Sequence, residues 1–240
     1  PSLVSVHTPA FGSSGPKARL GGFDQMIQAL CGIEAAAGGE GNPPVWLAAA
    51  PMDTGGGWLS TISLLLGRLT ALRTGTGCEV ESTQMGAGLV AKSGLFVEDG
   101  VSVLGPVLDR AQTGYGPGYR IYRTSDDRWV AVVVPDPQRW ERLRRVAGME
   151  ELPEAYVPLR LEGGDEAIRA EETAAAAFAT RPADEWRALL RAEGIPCEPL
   201  VHDFPVQREN ARAICSDAVL KETWRLALCC SVYPVHAFFQ

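Results

Sequence analysis

The sequence has no excess of positive charge and no long apolar stretch. It carries 22 Lys and Arg against 29 Asp and Glu, for a net charge of −7. Because a nucleic-acid-binding surface usually needs a basic stripe, this balance argues against a nucleic-acid partner. The longest apolar run, residues 58–72, contains Arg68 and several hydroxyl side chains and is too short to span a bilayer. We therefore expect neither a nucleic-acid partner nor a membrane span.

Paired cysteine motifs are also missing. The six cysteines, at positions 31, 78, 197, 215, 229 and 230, show no CxxC spacing, and we see no secretory signal. This pattern favours reduced, mostly buried thiols and a cytoplasmic protein. The spacing of His, Cys and Asp does not suit zinc, so we expect no metal cofactor.

The most informative stretch is residues 51–58, Pro-Met-Asp-Thr-Gly-Gly-Gly-Trp. Asp53 follows a short apolar segment and precedes a long apolar run, so it can be the N-cap of a helix. The helix dipole would favour its ionised form, and the three glycines after it allow another group to approach the backbone. Two interpretations stay open. Asp53 is either a simple cap or a nucleophile beside amides that stabilise a developing oxyanion.

Other short motifs accompany Asp53 in a fixed order. The blocks are FGSSGP at 11–16, GGFD at 21–24, QALCG at 28–32, PPV at 43–45, and RTGTGCEVE at 73–81. Together with Asp53, this order resembles the family III CoA-transferases. That is the CaiB/BaiF family, which includes formyl-CoA transferase and 2-methylacyl-CoA racemase. The resemblance is clear over residues 1–95 and looser over 119–200, where DRWV, TRPADEW and GIPC resemble the family's small domain.

The resemblance implies that coenzyme A and acyl-CoA are substrates and that no metal takes part. In the family's transferases an aspartate attacks an acyl-CoA thioester, and the reaction passes through a mixed anhydride and an aspartyl-CoA thioester. Asp53 stands at the matching position, and a low pKa would keep its carboxylate ionised at neutral pH. The implied substrate-binding residues are Phe11, Gly12, Phe23, Gly55 and Gly56.

Phe23 separates two activities within the family. In the racemase branch a histidine just before the matching Asp24 moves the α-proton, and Phe23 cannot do so. The Asp-x-Gly-Gly-Gly run beginning at Asp53 nevertheless resembles the racemase version of the helix start. CoA transfer is therefore the first hypothesis and an acyl-CoA racemase or isomerase the second. The third is a non-catalytic remnant or a partner subunit of a split CoA-transferase.

The expected fold class is α/β: a partial Rossmann-like parallel sheet with helices, plus a smaller α+β domain. We predict the C-terminal part of the large domain in residues 1–96, a linker in 97–118, and the small domain in 119–200. Residues 201–240 would be a divergent or truncated return segment. From the resemblance, we expect no counterpart here of the family's front segment, which carries much of the coenzyme A contact. We therefore expect a homodimer or a partner chain that supplies the missing N-terminal half.

Periodicity predicts the individual elements. Residues 3–7 are expected to form a buried parallel strand, and Asp24 is expected to cap a helix over 23–37. In the first part we further predict a strand at 45–49 and helices at 54–72 and 82–96. In the second part we predict a hairpin (119–122 and 129–134), helices (135–148, 165–179 and 182–193), and a strand (195–201).

Overall fold

The computed structural model describes residues 2–47, 49–92, 96–98, 101–103, 108–153 and 165–201. Helices and strands are mixed along the chain, which confirms the predicted α/β class, and residues 1–200 form one compact unit. The helices among the described residues are α1 (Asp24–Leu30), α2 (Ile33–Gly38), α3 (Pro51–Thr74), α4 (Gln84–Ala91), α5 (Pro137–Ala147), α6 (Asp165–Phe178) and α7 (Ala183–Ala192).

The strands in the described part of the chain form three small sheets. They are β1 (Val4–His7), β2 (Cys78–Glu81), β3 (Phe96–Glu98), β4 (Val101–Val103), β5 (Gly114–Gly116), β6 (Tyr119–Arg123), β7 (Trp129–Val133) and β8 (Cys197–Pro199). β1 and β2 are parallel, with Val4 opposite Cys78 and His7 opposite Glu81. β3 and β4 form an antiparallel pair, and β5-β6-β7-β8 form an antiparallel sheet in that order.

Helix α3 packs on the β1–β2 pair through small residues. A side chain at Gly67 would put its Cβ 2.7 Å from Cγ1 of Val4, which is too close, and 3.2 Å from Sγ of Cys78, which is a tight contact. Ala71, one turn later on the same side, is also buried. Because Gly67 has no side chain and Ala71 has only a methyl group, the helix axis can lie close to the sheet. The helix ends at Gly75, whose positive φ of 72° suits glycine at this position.

The antiparallel sheet holds the largest apolar core. The rings of Tyr122 and Phe178 stack with centroids 4.1 Å apart, and Phe178 lies 4.6 Å from the Trp186 ring. The exposed fraction of each of these side chains is at most 1%. The Trp186 indole N–H donates to the main-chain oxygen of Phe178 at 2.8 Å, so its polar atom is satisfied inside the core. This core joins β6 to α6 and α7.

A buried ion pair network fixes the start of this sheet. The guanidinium of Arg120 on β6 lies 2.6 Å from Asp109 and 3.2 Å from Glu171 on α6. Asp109 also accepts from the amide and the hydroxyl of Thr113, at 2.7 and 2.8 Å. Removing one partner from such a network leaves a buried charge uncompensated, so its members act as a unit.

Three predicted elements of the first part differ in the structure. The helix expected over residues 23–37 is two helices, because Gly32 adopts a left-handed φ of 68° between α1 and α2. Of the strand expected at 45–49, the described residues 45–47 and 49 lie outside any strand. The Val45 amide instead donates to the Glu34 oxygen at 3.0 Å, which ties this segment to α2. The helix expected over 82–96 ends at Ala91.

The expected burial of β1 needs correction. β1 is parallel as predicted, but its residues alternate between half-buried and exposed, because among the described residues only β2 pairs with it. The stretch 97–118, expected as a linker, contains part of β3 and all of β4 and β5, and its role as a linker stays a prediction. The hairpin of β6 and β7 is confirmed, and so are the helices of the second part, within a few residues of their predicted ends.

Some predictions fall outside the described residues. They are the return segment beyond Val201 and the cysteines at 215, 229 and 230. Cys31, Cys78 and Cys197 are free thiols. Within the part of the chain that the structure describes, no helix is long and apolar enough to cross a membrane.

Candidate active site

Asp53 lies inside the first turn of α3 rather than at its N-cap. Ala50 occupies the N-cap position, Pro51 is the first helical residue, and Asp53 is the third. The prediction that Asp53 caps this helix is therefore wrong. Proline is favoured at the first helical position because it has no N–H to satisfy there, and Pro51 is the sequence signal that marks the true start.

The cap of α3 comes from Asp24 on another helix. Its Oδ2 accepts from the Met52 amide at 2.7 Å and from the Asp53 amide at 2.8 Å. Its Oδ1 accepts from the side-chain amide of Gln28, and only 3% of the residue is exposed. Asp24 was expected to cap its own helix, but Phe23 is the N-cap of α1 and makes no side-chain cap bond. The carboxylate thus links the starts of α1 and α3.

This arrangement removes the amides that the sequence suggested for an oxyanion site. The amides of Met52 and Asp53 are occupied by Asp24, and the Thr54 amide donates to the Ala50 oxygen at 3.1 Å. Pro51 has no N–H to offer. The first turn of α3 therefore positions Asp53 but leaves no amide of that turn for substrate.

Gln84, the first residue of α4, binds the Asp53 side chain. Its Nε2 donates to Asp53 Oδ1. The start of α4 is itself well held, because the Thr83 hydroxyl accepts from the Gly86 amide at 2.8 Å. Gln84 was missed by sequence reasoning. The available signal was the Thr83 cap, which puts Gln84 at a helix start directly after β2.

The environment raises the pKa of the Asp53 carboxyl above that of an ordinary aspartate. Partial burial is the main cause, the nearby Asp24 charge adds to it, and the Gln84 hydrogen bond acts in the opposite direction. The sequence led us to expect a lowered pKa from the helix dipole, and the direction is the reverse. The residue as a whole remains exposed, so the carboxylate is accessible to solvent and to a ligand.

The glycines after Asp53 have a packing role. A Cβ on Gly55 would lie 3.3 Å from the Ala87 Cβ, and one on Gly56 would lie 3.6 Å from Gln84 Cγ. Gly55 therefore helps α4 to approach α3 closely, whereas a Cβ on Gly56 would make only an ordinary contact with Gln84. Gly57 faces open space, with nothing within 4 Å of an added Cβ.

The other predicted binding residues lie at two loops near these helix starts. Phe23 directly precedes Asp24, and 66% of it is exposed. Gly12 has a φ of 95°, and an added Cβ there would lie 3.3 Å from Glu81 Oε1. Phe11 is half-buried, and the Lys17 ammonium lies 5.9 Å from the centre of its ring. Their roles in binding stay predictions. Among the described residues, no group of three or more His, Cys, Asp or Glu side chains is arranged to hold a metal ion.

Comparisons with known proteins agree with the motif order. The family described as CoA-transferase family III matches residues 1–211. Human alpha-methylacyl-CoA racemase is 29% identical over 161 residues, which cover 64% of this chain and 41% of that protein. The succinyl-CoA–L-malate CoA-transferase alpha subunit of Chloroflexus aurantiacus is 25% identical over 226 residues, which cover 89% of this chain and 48% of that protein.

A solved structure shares the fold. The CaiB/BaiF family protein from Brucella suis matches with a TM-score of 0.61 and 22% identity, covering 84% of this chain and 53% of that one. The chain thus spans about half the length of the relatives that it matches.

Proposed function

The chain belongs to CoA-transferase family III, and from that membership we propose that it transfers coenzyme A between an acyl-CoA and a carboxylic acid through Asp53. The observation that carries the proposal is the setting of Asp53. Its backbone is fixed by a buried carboxylate, and one of its side-chain oxygens is bound by Gln84. Among the described residues no other group hydrogen-bonds this exposed side chain, which leaves Oδ2 as the attacking atom.

The proposed reaction needs no proton at the nucleophile. Asp53 Oδ2 attacks the thioester carbonyl, the C–S bond breaks, and coenzyme A leaves as the thiolate from a mixed anhydride. The thiolate then attacks the aspartyl carbonyl, which releases the donor carboxylate and forms an aspartyl-CoA thioester. The acceptor carboxylate repeats both steps in reverse, which gives the new acyl-CoA and restores the Asp53 carboxylate.

Trapping the aspartyl-CoA thioester tests this proposal directly. The chain is incubated with succinyl-CoA, acetyl-CoA or another acyl-CoA and treated with hydroxylamine, which converts an activated carboxyl to a hydroxamate. Peptide mass spectrometry is expected to find the hydroxamate on Asp53 only when acyl-CoA is present. A hydroxamate on a different carboxyl group would refute the proposed role. So would the absence of any hydroxamate with an acyl-CoA from which the chain does transfer coenzyme A.

The pKa of Asp53 predicts how transfer depends on pH. Asp53 reacts as the carboxylate, so kcat/KM is constant above its pKa and falls as the pH drops through it. The Gln84 hydrogen bond lowers this pKa, so Gln84→Leu raises it and moves the acid limb of the profile to higher pH. Gln138→Leu, an exposed glutamine on α5, is the matched control and should leave the profile unchanged. Equal profiles for both variants would contradict the role of Gln84.

A racemase or isomerase activity is the second candidate, because the human racemase is among the relatives. Phe23 lacks a base for α-proton exchange, so a 2-methylacyl-CoA incubated with the chain in heavy water should gain no deuterium at its α-carbon. Mass spectrometry of the recovered thioester measures this. Rapid incorporation would make the racemase the better assignment.

The size of the active unit belongs to the same proposal. The relatives are about twice as long as the part that this chain matches, and one of them is named an alpha subunit. We propose that the active unit holds a second copy of this chain or a partner chain. A non-catalytic partner subunit remains the third candidate. If the chain is such a subunit, hydroxylamine trapping should give no hydroxamate on Asp53, whether the chain is alone or bound to a partner.

A further inference from the structure

Three polar side chains meet where the parallel strands end. His7 is the last residue of β1 and Glu81 the last residue of β2, and the two are paired in register. The amide of Ser13, in the loop that follows β1, donates to Glu81 Oε2 at 3.0 Å, and the Ser13 hydroxyl binds the same oxygen. His7 Nδ1 lies 3.0 Å from Ser13 Oγ. Glu81 therefore holds this loop through two hydrogen bonds to one residue.

The direction of these hydrogen bonds follows from the groups themselves. A carboxylate can only accept, and a hydroxyl has one proton to donate, so the Ser13 hydroxyl donates to Glu81. His7 Nδ1 must then carry a proton and donate to Ser13 Oγ. The same nitrogen lies 3.7 Å from Glu81 Oε2. Because every donor ends on Glu81, directly or through Ser13, loss of this carboxylate releases the whole cluster.

Residues 11–15 depend on this cluster for their position. Gly12 and Gly15 both have a φ of 95°, which suits glycine, but fixing a glycine in one conformation costs much backbone entropy. Among the described residues, the hydrogen bonds from residues 11–15 to the strands and helices all go to His7 or Glu81. This part of the loop therefore has one anchor, and Glu81 is its acceptor.

The start of this loop touches the group that binds Asp53. The Met85 amide donates to the Ala10 oxygen at 3.0 Å, which ties the residue before the loop to α4. Gly22 lies against both sides of this contact, since an added Cβ there would be 2.2 Å from Ala10 Cβ and 3.1 Å from Gln84 Oε1. Gln84 in turn donates to Asp53. Residues 11–15 thus begin next to the candidate reaction centre.

We propose that Glu81 is a positioning residue for acyl-CoA binding, which holds Phe11 and Gly12 where they contact the thioester substrate. This role rests on the proposed function, because it takes residues 11–15 to bind acyl-CoA. Loss of the Glu81 carboxylate leaves Asp53 anchored by Asp24 and leaves the cap of α4 intact. It should therefore weaken substrate binding without slowing the chemical step.

Limited trypsin digestion tests the anchor without an assay of activity. Lys17 and Arg19 are exposed and follow residues 11–15 closely, so cleavage after them reports how often this segment opens. Glu81→Ala should raise the cleavage rate about tenfold, the effect of losing hydrogen bonds to a charged group. Glu79→Ala, at an exposed glutamate of the same strand, is the matched control and should be cleaved at the wild-type rate. Peptide mass spectrometry follows the two cuts.

Steady-state kinetics tests the link to binding. In Glu81→Ala the KM for acyl-CoA should rise about tenfold, while kcat stays within about twofold of the wild type. Glu81→Gln keeps an acceptor oxygen for Ser13 and should recover much of the affinity. If the wild type transfers no coenzyme A, which would count against the proposed function, calorimetric titration with coenzyme A replaces the KM, and the same loss of affinity is expected.

Three results would overturn the role of Glu81. Wild-type trypsin cleavage in Glu81→Ala would show that its carboxylate does not hold the loop. Faster cleavage with unchanged affinity would show that the loop does not contact acyl-CoA, and a wild type that neither transfers nor binds coenzyme A would show the same. Far-UV circular dichroism checks that the variants fold. If Glu81→Ala does not fold, Ser13→Ala replaces it and should show the same changes at smaller size, because it removes only the hydroxyl.

Discussion

Asp53→Asn is expected to abolish CoA transfer, lowering the rate by roughly 10³-fold or more. The amide keeps the size of the side chain and can still accept from Gln84, but its oxygen is a poor nucleophile toward a thioester. Because Asp53 is not the cap of α3 and its raised pKa means that the folded chain disfavours its charge, the variant should not be less stable than the wild type. An exchange assay with any acyl-CoA and acid pair that the wild type uses measures the effect.

The control for this variant is Asp127→Asn. Asp127 is another exposed aspartate, in the β6–β7 turn, where its positive φ of 65° is also tolerated by Asn. It should transfer CoA at the wild-type rate. Wild-type activity in Asp53→Asn, with unchanged thermal unfolding, would show that a different group attacks the thioester.

Asp24→Ala should lower the free energy of unfolding by about 2–3 kcal/mol. The change removes the acceptor for the Met52 and Asp53 amides and for the side-chain amide of Gln28, all at a nearly buried position. It should also slow transfer, because the turn that holds Asp53 loses its anchor. Urea unfolding followed by circular dichroism measures the first effect and the exchange assay the second.

Asp24→Asn is the matched variant for this prediction. Its oxygen can still accept from both amides, and Gln28 can turn its own amide to offer Oε1, which has no hydrogen-bond partner among the described residues. It should therefore lose clearly less stability than Asp24→Ala. Equal losses in the two variants would show that the negative charge, rather than the cap geometry, stabilises the start of α3.

Local signals predicted much of the fold. The helix predicted over 135–148 forms as α5, and Asp136 caps it by accepting from the Arg139 amide at 2.8 Å. The turn between β6 and β7 followed from its polar residues, and the Thr124 amide indeed donates to the Arg128 oxygen. In each case the partners are within four residues of each other, so the local pattern contains the whole interaction.

The site depended on contacts that no local pattern contains. Asp24 caps a helix 28 and 29 residues further along the chain, and Gln84 binds Asp53 from 31 residues away. The motif predicted that Asp53 lies at the start of a helix, but not that it lies inside the first turn, and its raised pKa comes from burial and from Asp24, which only the folded chain brings near. The prediction of a strand at 45–49 was wrong for the same reason, because the Val45 amide donates to the main-chain oxygen of Glu34, 11 residues earlier.

The pairing of β1 with β2 has a consequence for how the chain folds. Val4 pairs with Cys78, so this contact closes a loop of more than 70 residues, whereas the β6–β7 hairpin needs only a short turn. Closing a long loop is slow because its entropy must be lost before the contact is gained. The hairpin should therefore form early and the parallel pair late. The helix starts that surround Asp53 lie on the late side, so a chain arrested part-way can have a packed aromatic core and still lack the contacts that position Asp53.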